Sequence, residues 1–179
     1  EHTMAKVGIF FGTDTGNTRK VAKAIAQKLG ETVAKPDNIK NVDVDALLAY
    51  DVLILGSPTY GDGELPGLSA GTSTESWEEF LPKLVGADFS GKTIALYGLG
   101  DQVGYASNFV DALGMLYDAF ADVGASFVGF TSTEGYDFDR SKAVIDDQFV
   151  GLVLDEDNQK EQTEARLSDW LKQIAPALV

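Results

Sequence analysis

Three threonine hydroxyls fall between positions 13 and 18 in Gly12-Thr13-Asp14-Thr15-Gly16-Asn17-Thr18, after the apolar run at residues 7–11 and before a helical pattern at residues 19–29. A strand that stops at a hydroxyl- and glycine-rich turn and leaves it as a helix presents backbone N–H groups with no partner inside the helix. Hydroxyls and such N–H donors together suit a phosphate. An N-cap and turn with no ligand is the plain alternative. Against it stand the convergence of the hydroxyls and the position, since open α/β sheets bind ligands at the carboxyl ends of their strands. The spacing is neither G-x-x-x-x-G-K-[ST] nor G-x-G-x-x-G, and the lysine of nucleoside-triphosphate loops is missing. The expected ligand group is a terminal phosphate held by neutral donors, with Asp14 directed away from it.

Two further loops carry an aromatic ring on a glycine-rich turn: Ser57-Pro58-Thr59-Tyr60-Gly61-Asp62-Gly63-Glu64-Leu65 and Gly98-Leu99-Gly100-Asp101-Gln102-Val103-Gly104-Tyr105. Taken singly, Tyr60 reads as a half-buried surface aromatic and Tyr105 as helix packing. On facing loops beside a phosphate turn, they read as two walls for a flat heteroaromatic, with loop backbone meeting its polar edge. Asp155-Glu156-Asp157-Asn158 offers acceptors for the hydroxyls of a linker, or equally a solvated acidic cap on the last helix.

The elements that must position these loops follow from periodicity. Apolar, β-rich runs at residues 7–11, 32–34, 52–55, 93–99 and 126–130 alternate with helical patterns at residues 15–29, 44–49, 76–84, 105–123 and 162–175. Such alternation predicts parallel strands joined by crossover helices. The near-continuous apolar character of Asp51-Val52-Leu53-Ile54-Leu55-Gly56 fits a strand covered on both faces. Val21, Ala22, Ile25, Ala26 and Leu29 form the apolar stripe of the first helix, and Leu113, Leu116, Tyr117 and Phe120 that of the fourth. The expected fold class is α/β, a three-layer doubly wound five-stranded parallel sheet in the order 2-1-3-4-5, which puts the loops after strands one, three and four on one edge. Residues 64–75 and 131–148 exceed this plan, and long insertions in compact domains are usually functional. Residues 149–154 read as the resumption of an interrupted fifth strand.

A chain of 179 residues with 44% hydrophobic residues can bury one substantial core, so residues 4–179 are expected to form a single domain. The formal net charge of −14 argues against nucleic acid and anionic membrane and favours a protein partner with a basic patch. With no cysteine, disulfides, thiolate metal sites and iron–sulfur ligation by this chain are excluded, so a redox role would need a bound cofactor. No signal peptide or spanning segment is visible, which suits a soluble cytoplasmic protein, and a monomer is the default expectation. The sole histidine, His2, lies in Glu1-His2-Thr3 before Met4, which reads as a cloning remnant. The native chain would then have no histidine for acid–base catalysis.

With the turn at residues 13–18, Ser57-Pro58-Thr59-Tyr60, the Gly98 to Tyr105 loop, Gly135-Tyr136-Asp137-Phe138 and Phe149-Val150-Gly151-Leu152 in this order, followed by Asp157-Asn158, the chain from residue 4 to 179 resembles a long-chain flavodoxin. Leu65-Pro66-Gly67-Leu68 and Glu75-Ser76-Trp77-Glu78-Glu79-Phe80-Leu81-Pro82 are similar to the nitrogen-fixation branch of that family. The resemblance implies a flavodoxin-like fold, a non-covalent FMN and no enzymatic activity. Its phosphate would sit in the turn formed by Thr13, Asp14, Thr15, Gly16, Asn17 and Thr18. The isoalloxazine would lie between Pro58, Thr59, Tyr60, Gly61, Asp62 and Gly63 on one side and Gly98, Leu99, Gly100, Asp101 and Tyr105 on the other. Tyr105 would stack on the outer face, and Tyr60 stands where the family often has tryptophan. Asp101 would meet the pyrimidine edge and Asp157 the ribityl chain; no metal is implied.

By the same resemblance, the Gly61-Asp62 peptide would turn to accept a hydrogen bond from N5 of a neutral semiquinone, and glycine makes the required backbone conformation inexpensive. Like charge around the hydroquinone would push the second potential low. The implied function is a low-potential one-electron carrier working between semiquinone and hydroquinone. Its partners would be redox proteins with basic docking patches: a reductase donor and an acceptor such as nitrogenase reductase. A flavodoxin-like quinone reductase, moving electron pairs to a bound substrate, is the alternative. A signalling receiver domain shares the topology but needs acidic residues where Gly12-Thr13 and Gly56-Ser57 stand.

Overall fold

In the computed structural model, which describes residues 6–12 and 16–179, every residue of β1 (Val7–Phe11) is buried. A Gly16 in the left-handed region (φ 101°) opens α1 (Asn17–Leu29), two residues later than the helical pattern suggested. The second strand departs further from expectation. Of residues 32–34 only Val33 bridges β1, at Val7, and regular pairing resumes at β2 (Asp37–Asn38), beside Phe10 and Phe11. Pro36 stands between the two contacts and has no N–H to give the ladder.

After α2 (Val44–Leu48), capped by the Asp43 carboxylate, come β3 (Val52–Pro58) and α3 (Trp77–Phe80), the latter running on as a tighter turn over Leu81–Leu84 that contains Pro82. β4 (Thr93–Leu99) is the hub of the sheet. It pairs in parallel with β3 from Val52↔Thr93 to Pro58↔Leu99, and β3 pairs with β1 from Val7↔Val52 to Phe11↔Gly56.

The largest departure is α4 (Asp111–Asp122), which begins six residues after the expected start at Tyr105. The backbone between bonds to a distant segment instead of to a helix. The Ala106 carbonyl accepts from Asp139 N at 2.7 Å and Arg140 N at 3.0 Å, the Phe109 N–H donates to Arg140 O at 3.1 Å, and Val110 sits at φ 49°.

The far edge of the sheet is a strand in two pieces. β5 (Ser126–Val128) pairs with Thr93–Ala95. Between the pieces, β6 (Thr131–Ser132), β7 (Val144–Ile145) and β8 (Gln148–Phe149) make a small antiparallel sheet in the order β6-β8-β7. Asp146 and Asp147, both at positive φ, turn its hairpin. β9 (Leu152–Leu154) then pairs with Tyr97, Gly98 and Leu99, completing the interrupted fifth strand. Phe149, expected in that strand, belongs to β8 and packs with Phe109, Tyr136 and Phe138. The order 2-1-3-4-5 is thus observed, and α5 (Thr163–Ile174) follows.

Alternate strand residues face opposite layers. Ile9, Phe11, Ile54, Ala95 and Tyr97 pack with Val21 and Ile25 of α1 and with Leu167, Trp170 and Ile174 of α5. Phe10, Leu53, Leu55, Ile94 and Leu96 pack with Leu47, Trp77, Phe80, Leu113, Leu116 and Phe120 on the other face. Two apolar faces explain the unbroken apolar runs. Among the described residues no helix is long and apolar enough to cross a membrane, and no cluster of side chains could hold a metal ion.

Candidate functional site

The carboxyl ends of β1, β3 and β4 lie side by side, and a cleft of about 370 Å³ opens above them. One end of it is the start of α1. Gly12 N donates to Gly56 O at 3.0 Å, as does Trp77 Nε1 at 2.9 Å. Gly56 has no room for a side chain: a Cβ there would lie 1.9 Å from Tyr97 Cζ. The Tyr97 ring therefore lies against the β3 backbone, and its hydroxyl donates to Thr18 O at 2.8 Å. Burial raises the Tyr97 pKa, so the hydroxyl stays a donor.

Thr18 is fully buried and lines the cleft, yet its Oγ1 has no hydrogen-bond partner among the described residues. A buried unpaired hydroxyl costs about 1–3 kcal/mol, so a ligand acceptor there recovers a penalty already present. Asn17 lines the same end, and among the described residues no Lys or Arg lines the cleft. The donor set fits a phosphate held by neutral groups. Thr13, Asp14 and Thr15 lie outside the described residues, as does His2.

The middle and far end are built from two loops. After β3, Pro58, Thr59, Tyr60 and Gly61 line the cleft, and after β4, Leu99, Gly100, Asp101 and Tyr105 face them. Tyr60 is half-buried, whereas Tyr105 is 47% exposed. The turn at residues 60–64 is closed by Tyr60 N donating to Glu64 O at 2.8 Å and Glu64 N donating to Tyr60 O at 2.7 Å. Gly61 (φ 48°) and Gly63 (φ 96°) hold left-handed backbone within it. No described backbone group bonds to the backbone of Gly61 or Asp62, in contrast to Tyr60, Gly63 and Glu64 around them.

Asp101 shapes its own loop. Its Oδ1 accepts from Gly104 N at 2.7 Å, Val103 N at 3.0 Å and Asn158 Nδ2 at 2.8 Å. The Gly104 N–H, then Asn158, hold its pKa below the usual carboxylate range. Asp157 is exposed on the cleft wall with Glu156, and burial together with the charges of Asp101, Asp155 and Glu156 raises its pKa.

The structure thus gathers Asn17, Thr18, Pro58, Thr59, Tyr60, Gly61, Leu99, Gly100, Asp101, Tyr105 and Asp157 around one cavity. Others expected there stand back from the wall. Gly98 is inside β4 near Leu113, Gly63 is behind its turn against Asp111, and Gly16 opens α1. Asp62 lines a neighbouring cleft of about 750 Å³ toward the inserted segment.

Sequence reasoning missed the side chains that hold the loops together. Asp155, grouped with surface acceptors from sequence, is fully buried. Its Oδ2 accepts from Gln102 N at 3.1 Å, Gln102 Nε2 at 2.7 Å and Asn158 Nδ2 at 2.9 Å, and its Oδ1 from Asn158 N at 2.9 Å and Asp157 N at 3.1 Å. Gln102 Oε1 in turn accepts from Asp137 N at 2.7 Å, tying in the inserted segment. The available signal was the placement of Asp155 directly after the apolar run of β9, where an acid ends a buried strand.

The profile of the flavodoxin family matches residues 9–170. A flavodoxin of Klebsiella pneumoniae is 56% identical over 171 residues, covering 96% of this chain and 97% of that protein. A flavodoxin of Enterobacter agglomerans is 50% identical over 177 residues, covering 98% of this chain and all of its own. Among solved structures, Fusobacterium nucleatum flavodoxin bound to flavin mononucleotide aligns with a TM-score of 0.86 at 36% identity, over 97% of this chain and 99% of that one.

Proposed function

Because the chain belongs to the flavodoxin family, whose members are electron-transfer proteins, we propose that residues 4–179 form one FMN-binding unit that carries single electrons at low potential between redox proteins. The observation that carries this reading is the cleft itself, where the buried hydroxyl of Thr18, with no partner among the described residues, shares one cavity with the Tyr60 and Tyr105 loops. When bound, FMN supplies the one-electron chemistry.

The chain's own residues divide the work. Thr18, with Thr13, Asp14, Thr15, Gly16 and Asn17, holds the phosphate through hydroxyls and helix-start N–H groups rather than a cation. Tyr60 and Tyr105 flank the ring. Asp101 and the backbone at Gly98, Leu99 and Gly100 meet its polar edge, and Asp157 meets the ribityl hydroxyls. The Gly61-Asp62 peptide adjusts to the redox state, because the turn around it is bonded and it is not. The net charge of −14 opposes a further negative charge in the site and holds the lower potential down. Partner proteins bring basic patches to the cleft edge. The likeness of residues 65–82 to the nitrogen-fixation branch supports nitrogenase reductase as acceptor, with a reductase as donor. We take the carrier as a cytoplasmic monomer.

An anaerobic spectroelectrochemical titration of the FMN-loaded protein tests this. Two well-separated one-electron steps are expected, the second at low potential; a single two-electron wave would favour a quinone-reductase activity instead.

A further inference from the structure

The first turn of α4 grips the loop at residues 59–64 at two points. Ala112 N donates to Thr59 Oγ1 at 3.1 Å. Gly63 lies against Asp111, so close that a Cβ on it would sit 2.6 Å from Asp111 Oδ2 and 3.1 Å from Asp111 Cβ. The other carboxylate oxygen, Oδ1, accepts from Lys142 N at 2.8 Å, in the segment between β6 and β7. One carboxylate therefore touches the helix start, the turn beside the cleft and the inserted segment.

This arrangement is costly for a charged group. Asp111 is 5% exposed, and no salt bridge reaches it among the described residues. Its one hydrogen bond as an acceptor among the described residues comes from a backbone N–H. Burial raises its pKa, although the Lys142 N–H and the charges of Lys142 and Arg140 pull the other way. An asparagine could accept the same bond without burying a charge. The carboxyl group lies against the turn whose Gly61 and Asp62 make no backbone hydrogen bond of their own.

We infer that Asp111 is the positioning residue of the turn at residues 60–64: its carboxylate braces Gly63 and joins it to Lys142 of the inserted segment. This deepens the electron-carrier reading and rests on it for the statement that the turn borders the flavin. Gly63 N donates to Tyr60 O at 3.1 Å, so a fixed Gly63 also fixes Tyr60. Movement is then confined to the Gly61-Asp62 peptide. Without the brace the turn moves as a whole, Tyr60 included.

Amide hydrogen exchange followed by NMR on the FMN-loaded protein tests the inference. It is read at Gly63 and Glu64, whose N–H groups both bond to Tyr60 O, and at Leu96 in β4 as the measure of global opening. Asp111→Ala should speed exchange at Gly63 and Glu64 by at least about tenfold relative to Leu96. Asp111→Asn should restore the wild-type ratio, because its amide oxygen still accepts from Lys142 N and fills the same space. Gly63→Ala sets a methyl against the carboxylate on backbone held at φ 96°, and it should loosen the same amides more in the wild-type background than in the Asp111→Ala background, where only the backbone strain remains. It should also alter the interval between the two one-electron potentials. An unchanged ratio in both alanine variants, or equal acceleration at Leu96, overturns the inference. A wild-type chain that takes up no FMN defeats the carrier reading alone, since the exchange ratio in the unloaded protein still decides the role of Asp111.

Discussion

At the scale of single residues, the site is marked by a buried polar atom with no partner among the described residues, Thr18 Oγ1. If it donates to the FMN phosphate, Thr18→Val should weaken FMN binding by about 1.5–3 kcal/mol, the value of a hydrogen bond to a charged group. That corresponds to roughly 10- to 150-fold in Kd. The potentials should barely move, because the phosphate end is remote from the ring; titrating the apoprotein with FMN and then measuring its potentials separates the two effects. Asp111 makes the opposite kind of prediction. Its pKa is raised on folding, so the folded state holds the proton more tightly than the unfolded chain does. Its charge is therefore a cost at neutral pH, relieved as the pH falls through the raised value. Asp111→Asn should be more stable than the parent to urea at pH 7, with the gap closing under acid conditions. Asp101, whose pKa is lowered, behaves in the reverse sense: its contribution is present above the ordinary carboxylate value and fades as the pH falls through the lowered one. It is partly exposed, so solvent screening keeps that contribution small.

At the scale of elements, support for the phosphate end comes from a stack one layer deep. Gly56 admits the Tyr97 ring, and Tyr97 holds the Thr18 carbonyl. Gly56→Ala places a methyl into a fully buried ring that β3 and α1 enclose. The expected cost is about 1–3 kcal/mol, as for other overpacked cores. FMN affinity should fall with it, because α1 loses its support, and urea denaturation followed by FMN titration checks both. The elements also show how far local pattern reaches. Strands β1 and β4 follow their apolar runs, whereas β3 continues three residues past its run, through Gly56, Ser57 and Pro58, because β4 offers pairing partners as far as Leu99. The fourth helix does not follow its pattern. Residues 105–110 are compatible with helix by themselves, but Ala106 and Phe109 have better partners at Asp139 and Arg140. The second strand was misplaced because its ladder depends on where Pro36 interrupts it. Of the cleft, the start of the first helix at Asn17 and Thr18 and the two tyrosine loops were legible, since glycines, hydroxyls and aromatic rings on turns are local signals. Asp111 and the Asp155–Gln102 contact were not, because nothing in a run of neighbours says that a carboxylate turns inward.

For the molecule as a whole, charge governs the encounter with partners. A chain of net charge −14 attracts a basic surface over distances comparable to the Debye length, about 8 Å at physiological ionic strength. Association with a basic redox partner should therefore slow steeply as salt is added, while the rate with a neutral small-molecule oxidant stays nearly flat. Stopped-flow measurements across a salt series compare the two, and equal slopes would refute electrostatic steering. The sequence by itself determined the alternation of strands and helices, the sheet order, the edge on which the loops gather and the sign of the surface, because each follows from local periodicity, connection rules or a sum of charges. Only the tertiary structure decided which polar groups are spent on the scaffold and which are left for a ligand. Lys142 meets Asp111 across 31 positions, and Gln102 meets Asp155 across 53. Contacts of that span exist only once the sheet has brought its ends together, and only then is it visible that no described residue pairs with the buried Thr18 hydroxyl.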